Sequence, residues 1–123
     1  MKRILVAEDS PTMRSLLIST IESLDEIDIV EATSGFDALR LLPREKVDLI
    51  ITDINMPDIN GLELISYVRN SPNYRDIPLF IVSTESGEKD LEKGLALGAN
   101  EYLVKPFDPA RLQQLIREYL GRG

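Results

Sequence analysis

The chain contains no cysteine and no histidine. Without cysteine there is no disulfide framework and no thiolate to act as nucleophile or metal ligand, a composition suited to a reducing, cytoplasmic setting. Without histidine, imidazole acid–base catalysis and histidine-ligated metal sites are excluded. Positive charge is also scarce: 14 Lys and Arg stand against 21 Asp and Glu, a net charge of −7. A nucleic-acid surface needs a basic footprint, so no direct nucleic-acid contact is expected. Long apolar runs are missing, which excludes insertion across a bilayer. The apolar run behind Lys2-Arg3 stops at Glu8-Asp9, too early for a signal peptide. There remain 123 residues, 43% hydrophobic and 28% charged, enough for one globular domain over residues 1–123.

The most informative stretch is Leu49-Ile50-Ile51-Thr52-Asp53-Ile54-Asn55-Met56-Pro57. A short run rich in β-branched residues, ended by turn formers, predicts a buried strand of a parallel sheet. Similar runs predict strands at residues 2–7, 28–32, 79–82 and 102–104. Helical spacing fills the gaps. Ser10-Pro11 opens a helix carrying Met13, Leu16, Leu17, Ile21 and Leu24. Thr33-Ser34-Gly35 introduces one through Phe36, Leu39 and Leu42, stopped by Pro43. Gly61 leads into one with Leu62, Ile65 and Val68 that dissolves at Asn70-Ser71-Pro72. Asp108-Pro109 caps the last, with Leu112, Leu115, Ile116, Tyr119 and Leu120 on its core face. The helix near residues 88–97 has only a thin stripe, Leu91, Leu95 and Leu97, interrupted by Gly94 and Gly98. Its helix propensity is the poorest of the set.

Five strand–helix alternations with short connections predict an α/β fold, a doubly wound parallel sheet of five strands with five helices. Right-handed crossovers bring the carboxyl ends of the strands to one rim, where open sheets of this kind place their ligands. That rim receives Glu8 and Asp9, then Asp53, then Ser83 and Thr84, then Lys105. Three carboxylates brought together repel one another and call for a cation. With only oxygen ligands on offer, a hard divalent ion fits, and Mg²⁺ is the common choice beside phosphate. Asp53 stands alone at the central strand end and is the candidate nucleophile, since carboxylates form acyl phosphates. Asp9 and Glu8 would hold the metal, directly or through water. Lys105 would meet a phosphoryl oxygen, and Ser83, with Thr84 behind it, would donate to another. Each residue alone has a plain explanation as a solvated turn or cap, but the joint pattern at four strand ends does not.

These motifs resemble those of the receiver domains of two-component response regulators, most of all the single-domain, chemotaxis-type members. The resemblance runs from Ile4-Leu5-Val6-Ala7-Glu8-Asp9, through Asp53-Ile54-Asn55-Met56-Pro57 with Gly61 and Pro78-Leu79-Phe80-Ile81-Val82-Ser83, to Lys105-Pro106-Phe107 and the last helix. It implies a flavodoxin-like sheet of order 2-1-3-4-5. It implies that Asp53 accepts a phosphoryl group from a histidine kinase or phosphotransfer protein. Asp9, Asp53 and the backbone carbonyl of Asn55 would bind Mg²⁺ directly, and Glu8 through water. Ser83 and Lys105 would contact the phosphoryl group. Ser83 and Tyr102 would form a two-state switch that reshapes the face of the fourth helix, fifth strand and fifth helix, changing affinity for a downstream protein target. The weak fourth helix suits such a movable face. A cis peptide is implied at Lys105-Pro106. Glu8 stands where many members have Asp, and Ser83 where Thr is more frequent. Asn55 and Glu85 occupy positions that tune dephosphorylation.

The resulting expectation is a signalling switch that catalyses its own phosphorylation and dephosphorylation rather than a metabolic enzyme. Only Gly121-Arg122-Gly123 follows the last helix, so no output domain is expected, unless the chain is a receiver fragment of a larger regulator or hybrid kinase. A small aspartyl-phosphate phosphatase is the rival enzyme. Its chemistry wants a general acid two residues after the nucleophile, and that position is Asn55.

Overall fold

The computed structural model describes residues 1–84 and 88–120. Strands and helices alternate throughout: β1 (Lys2–Ala7), α1 (Pro11–Glu22), β2 (Ile27–Ala32), α2 (Gly35–Leu41), β3 (Leu49–Thr52), α3 (Gly61–Asn70), β4 (Leu79–Ser83), α4 (Glu88–Leu97), β5 (Glu101–Val104) and α5 (Pro109–Leu120). The five strands form one parallel sheet in the order β2-β1-β3-β4-β5. The expected element types and strand order are therefore present. Differences lie at the ends: β2 starts at Ile27, β5 starts at Glu101, and β4 runs on through Ser83.

Four of the helices start where their capping residues dictate. The Ser10 hydroxyl accepts the Met13 N–H at 3.3 Å, with Pro11 just inside the helix. Ser34 does the same for Asp37 at 3.0 Å. Asn60 and Glu63 satisfy each other's backbone N–H groups in a capping box at the head of α3. Asp108 accepts the Ala110 N–H at 3.0 Å and heads α5.

Alternation along the strands divides the core. Leu5, Ala7, Ile50, Leu79 and Ile81 face α2 and α3, with Ala38, Leu42, Leu64, Ile65 and Val68 packed on them. Ile4, Val6, Leu49, Ile51, Phe80 and Val82 face α1 and α5, meeting Leu17, Ile21, Leu112, Leu115 and Ile116. β1, β3 and β4 are thus covered on both sides, which explains their unbroken apolar sequences. Two helix faces differ from the periodicity. In α1, Leu16 is exposed and Thr20 is buried, its hydroxyl returning to the Leu16 carbonyl at 2.9 Å. In α4 the expected leucine stripe faces the core only in part: Leu97 packs half-buried against it, whereas Leu91 and Leu95 are exposed and Gly94 is buried.

One arginine ties the far end of the sheet together. Arg69 donates to the carbonyls of Gly98, Arg75 and Ile77 and to Asn100 Oδ1, at 2.7–3.0 Å. Asn100 Oδ1 also accepts the Leu79 N–H at 2.8 Å, so one fork joins α3, the start of β4 and the end of α4. Among the described residues no helix is long and apolar enough to cross a membrane.

Candidate functional site

The β1–β3 register sets the site. Ala7 lies opposite Thr52, so the residues after each strand, Glu8 and Asp53, leave the sheet side by side. The ladder reaches one step further, the Asp53 N–H donating to the Ala7 carbonyl at 3.1 Å. The Glu8 N–H donates to the Ala32 carbonyl of β2 at 3.1 Å. Both residues are therefore fixed by main-chain bonds just past the buried ends of β1 and β3.

Carboxylate oxygens of Glu8, Asp9 and Asp53 come within 4.8 Å of one another. Glu8 and Asp53 are buried and Asp9 is exposed, so the cluster opens to solvent on the Asp9 side. Lys105 reaches in from the end of β5. Its Nζ lies 2.8 Å from Glu8 Oε1 and 3.4 Å from Asp53 Oδ2, with the lysine side chain 8% exposed. Asp53 Oδ1 accepts the Ile54 N–H at 2.7 Å. Glu8 Oε2 accepts the Ser10 N–H at 3.2 Å. Burial pushes the Glu8 carboxyl above its ordinary value and the Asp53 charge adds to this, while the bond to Lys105 pulls the other way.

Ser83 is fully buried at the end of β4, whereas Thr84 is exposed, which favours Ser83 as the inward hydroxyl of the pair. The Lys105 N–H donates to the Ser83 carbonyl at 2.8 Å, tying the ends of β4 and β5 together. Tyr102 is half-buried on β5 against the core side that includes Ile81. Asn55 is exposed in the loop after β3. The Lys105–Pro106 peptide is cis. Glu85 lies outside the described residues, as do Gly121, Arg122 and Gly123.

Three further residues shape the site. Arg14 on α1 donates through Nη1 to the Glu8 carbonyl at 2.8 Å and holds Glu31 at 3.4 Å through Nε. Its position one helical turn after Ser10 was the available signal, but a lone arginine on a helix reads as surface charge. Thr52, buried, donates to the Asp53 carbonyl at 2.9 Å. Gly61 is required by close approach: a Cβ there would sit 2.1 Å from the Asp53 carbonyl oxygen. The absent side chain lets the head of α3 press on the backbone of Asp53, where the Gly61 N–H donates to the Ile54 carbonyl at 2.8 Å.

Chemically, the arrangement offers a buried carboxylate beside a cation and an all-oxygen set of acids able to hold a metal ion. The sequence pattern of the response regulator receiver domain matches residues 4–117. A chemotaxis protein CheY homolog of Campylobacter jejuni is 42% identical, the match covering 98% of this chain and 94% of that one. Chemotaxis protein CheY1 of Helicobacter pylori is 37% identical, with 97% of each chain covered. Among solved structures, chemotaxis protein CheY4 of Vibrio cholerae superposes with a TM-score of 0.88 at 31% identity, covering 98% of this chain and 99% of that one. The receiver domain of the sensor histidine kinase PA1611 of Pseudomonas aeruginosa, described with a magnesium ion coordinated in its active-site cleft, gives 0.88 at 28% identity over 98% of both chains. With the fold, the sequence pattern and these relatives in agreement, the chain belongs to the response regulator receiver domain family.

Proposed function

We propose that this chain is a phosphorylation-dependent signalling switch whose phosphoacceptor is Asp53. A carboxylate oxygen of Asp53 attacks the phosphorus of a phosphohistidine on a histidine kinase or phosphotransfer protein. The O–P bond forms as the P–N bond breaks, and the imidazole nitrogen keeps the electron pair. Hydrolysis of the aspartyl phosphate by water later returns the carboxylate and releases inorganic phosphate. Catalysis of this kind rests on positioning and charge stabilisation rather than on proton transfer by side chains. The chain's own contribution follows from its residues. The Ile54 N–H and Lys105 orient Asp53 from two sides, and Lys105 and Ser83 then meet the phosphoryl oxygens.

The donor set fits Mg²⁺: three oxygen acids within 4.8 Å of one another, one of them open to solvent. Asp9, Asp53 and the backbone carbonyl of Asn55 would hold the ion, with Glu8 acting through water. Both Glu8 oxygens already accept protein donors, which suits an outer role. Bound Mg²⁺ supplies positive charge to phosphoryl oxygens that carry the developing charge. Output follows through Ser83 and Tyr102, which couple the phosphoryl site to the α4-β5-α5 face and so to a downstream protein target. Leu91, Leu95 and Val104, exposed on that face, supply apolar surface for it.

The observation that carries the reading is Asp53, a buried carboxylate at the end of the central strand, held between a lysine and a backbone N–H beside two further acids. Incubation with Mg²⁺ and acetyl phosphate is expected to add one base-labile phosphoryl group by mass. Asp53→Asn is expected to add none. Equal labelling of the two proteins, or none of the wild type, overturns the reading.

A further inference from the structure

An α-helix with leucines four residues apart normally turns them toward the core. In α4 the pair Leu91 and Leu95 is 37% and 44% exposed, and the inward stripe is Asp90, Gly94 and Leu97, about 100° round the helix. Among the described residues of α4, Gly94 alone is buried. The space beneath it explains why. A Cβ on residue 94 would stand 2.7 Å from Ile81 Cδ1 and 3.4 and 3.6 Å from Cδ2 and Cε2 of Tyr102. The bare backbone of α4 therefore rests on a β4 side chain and beside the ring of the β5 tyrosine. A glycine inside a helix disfavours it about fivefold relative to alanine. This close approach is what the glycine gives in return. At its carboxyl end the helix is pinned, Arg69 Nε donating to the Gly98 carbonyl at 3.0 Å.

We propose that Gly94 is the positioning residue that makes α4 follow Tyr102. The inference rests on the reading of Tyr102 and the α4 face as the moving element. If the Tyr102 ring leaves, no side chain at 94 is there to fill the space, so the helix backbone must settle or lose its contact with the sheet. Movement of the ring is thereby passed to the backbone of α4, and Leu91 and Leu95 carry it to the surface. An alanine at 94 would act as a fixed spacer, holding the helix off Ile81 and filling the space when the ring departs. Helix and ring would then move independently.

The test uses the full chain as Gly94→Ala, alone and with Ile81→Val, which deletes the Cδ1 atom that the new Cβ would meet. Amide hydrogen exchange reports on α4, and fluorine resonances of 3-fluorotyrosine, assigned by Tyr→Phe variants, report on Tyr102. Helix propensity alone predicts that Gly94→Ala slows α4 exchange about fivefold. The proposal predicts faster exchange and a shifted Tyr102 resonance, with Ile81→Val bringing the exchange rate back to the wild-type value or below. On addition of beryllofluoride and Mg²⁺, wild-type α4 and Tyr102 are expected to respond at the same concentration. In the double variant Tyr102 responds and α4 does not. Slower exchange in Gly94→Ala with Tyr102 unmoved overturns the proposal, as does a joint response in every variant. A wild-type protein indifferent to beryllofluoride overturns the switch reading and the coupling with it. That failure is recognisable, because the exchange rates without ligand still show whether Gly94 bears the packing described.

Discussion

Replacing Lys105 by methionine keeps most of the side-chain volume and removes the only cation that contacts the two buried carboxylates among the described residues. The lysine sits 2.8 Å from Glu8 and 3.4 Å from Asp53, carboxylates whose side chains are 1% and 9% exposed. At an effective dielectric of ~20 those distances correspond to gross attractions of about 6 and about 5 kcal/mol. Desolvation of all three groups offsets much of this, and removing one partner of a buried pair costs about 3–5 kcal/mol. We expect a loss of that size for Lys105→Met at about pH 8 without metal. The loss must shrink in acid. Burial already raises the Glu8 carboxyl, and without Lys105 the bond that opposes this is gone, so it rises further. A raised folded value means that stability linked to protonated Glu8 is fully present below its unfolded value of 4.5 and is lost as pH climbs through the folded one. Urea midpoints at about pH 5 and about pH 8 measure the difference. Adding Glu8→Gln to Lys105→Met should recover stability at the higher pH, and Mg²⁺ should do so by supplying the missing charge. A deficit below about 1 kcal/mol at both pH values, the range of an exposed pair, would refute the view that this lysine compensates buried charge.

Gly61→Ala places a methyl group 2.1 Å from the Asp53 carbonyl oxygen, so the head of α3 must shift. A loss of about 3 kcal/mol or more in urea is expected, together with slower labelling by acetyl phosphate. Arg69→Ala frees three carbonyls and Asn100 from one fork and is expected to cost about 3 kcal/mol, with Arg69→Lys recovering only a part because an ammonium cannot span them. Thermal or urea denaturation of the two variants checks the order. Tyr119 is pushed up to about 12 by burial first and then by its bond to Glu101 at 2.7 Å. Its neutral form contributes stability that is complete below about 10 and lost as pH rises through about 12. Ultraviolet titration should show a late ionisation step that Tyr119→Phe abolishes. A titration curve left unchanged at high pH by Tyr119→Phe would contradict it.

The elements were legible because each carries its own local signal. Buried parallel strands are continuous apolar runs, and Ser10-Pro11 and Asp108-Pro109 mark helix starts by chemistry that needs no neighbour. The acids, Ser83 and Lys105 were legible for a related reason: the connection rule sends every strand end to one rim, so position along the chain translates into position in space. What stayed hidden depends on contacts between distant residues. Leu16 and Thr20 exchange the burial that their types suggest, and α4 turns Leu91 and Leu95 outward because Ile81 and Tyr102 already occupy the space beneath. Arg14 carries no such signal, because its partner is a backbone carbonyl six residues earlier, a bond that no residue type announces.

The contact between Lys105 and Glu8 spans 97 positions of the chain. Glu8 and Asp9 emerge with the first strand, Asp53 near the middle, and the lysine only with the last strand. A chain growing from the ribosome therefore carries its acids long before it acquires their counter-charge. Until residue 105 joins the sheet, the rim is a cluster of like charges that resists closing. The acidic cluster thus gains its counter-charge only when the last strand joins the sheet, so that partial products of synthesis or proteolysis ending before residue 105 carry the acids without it.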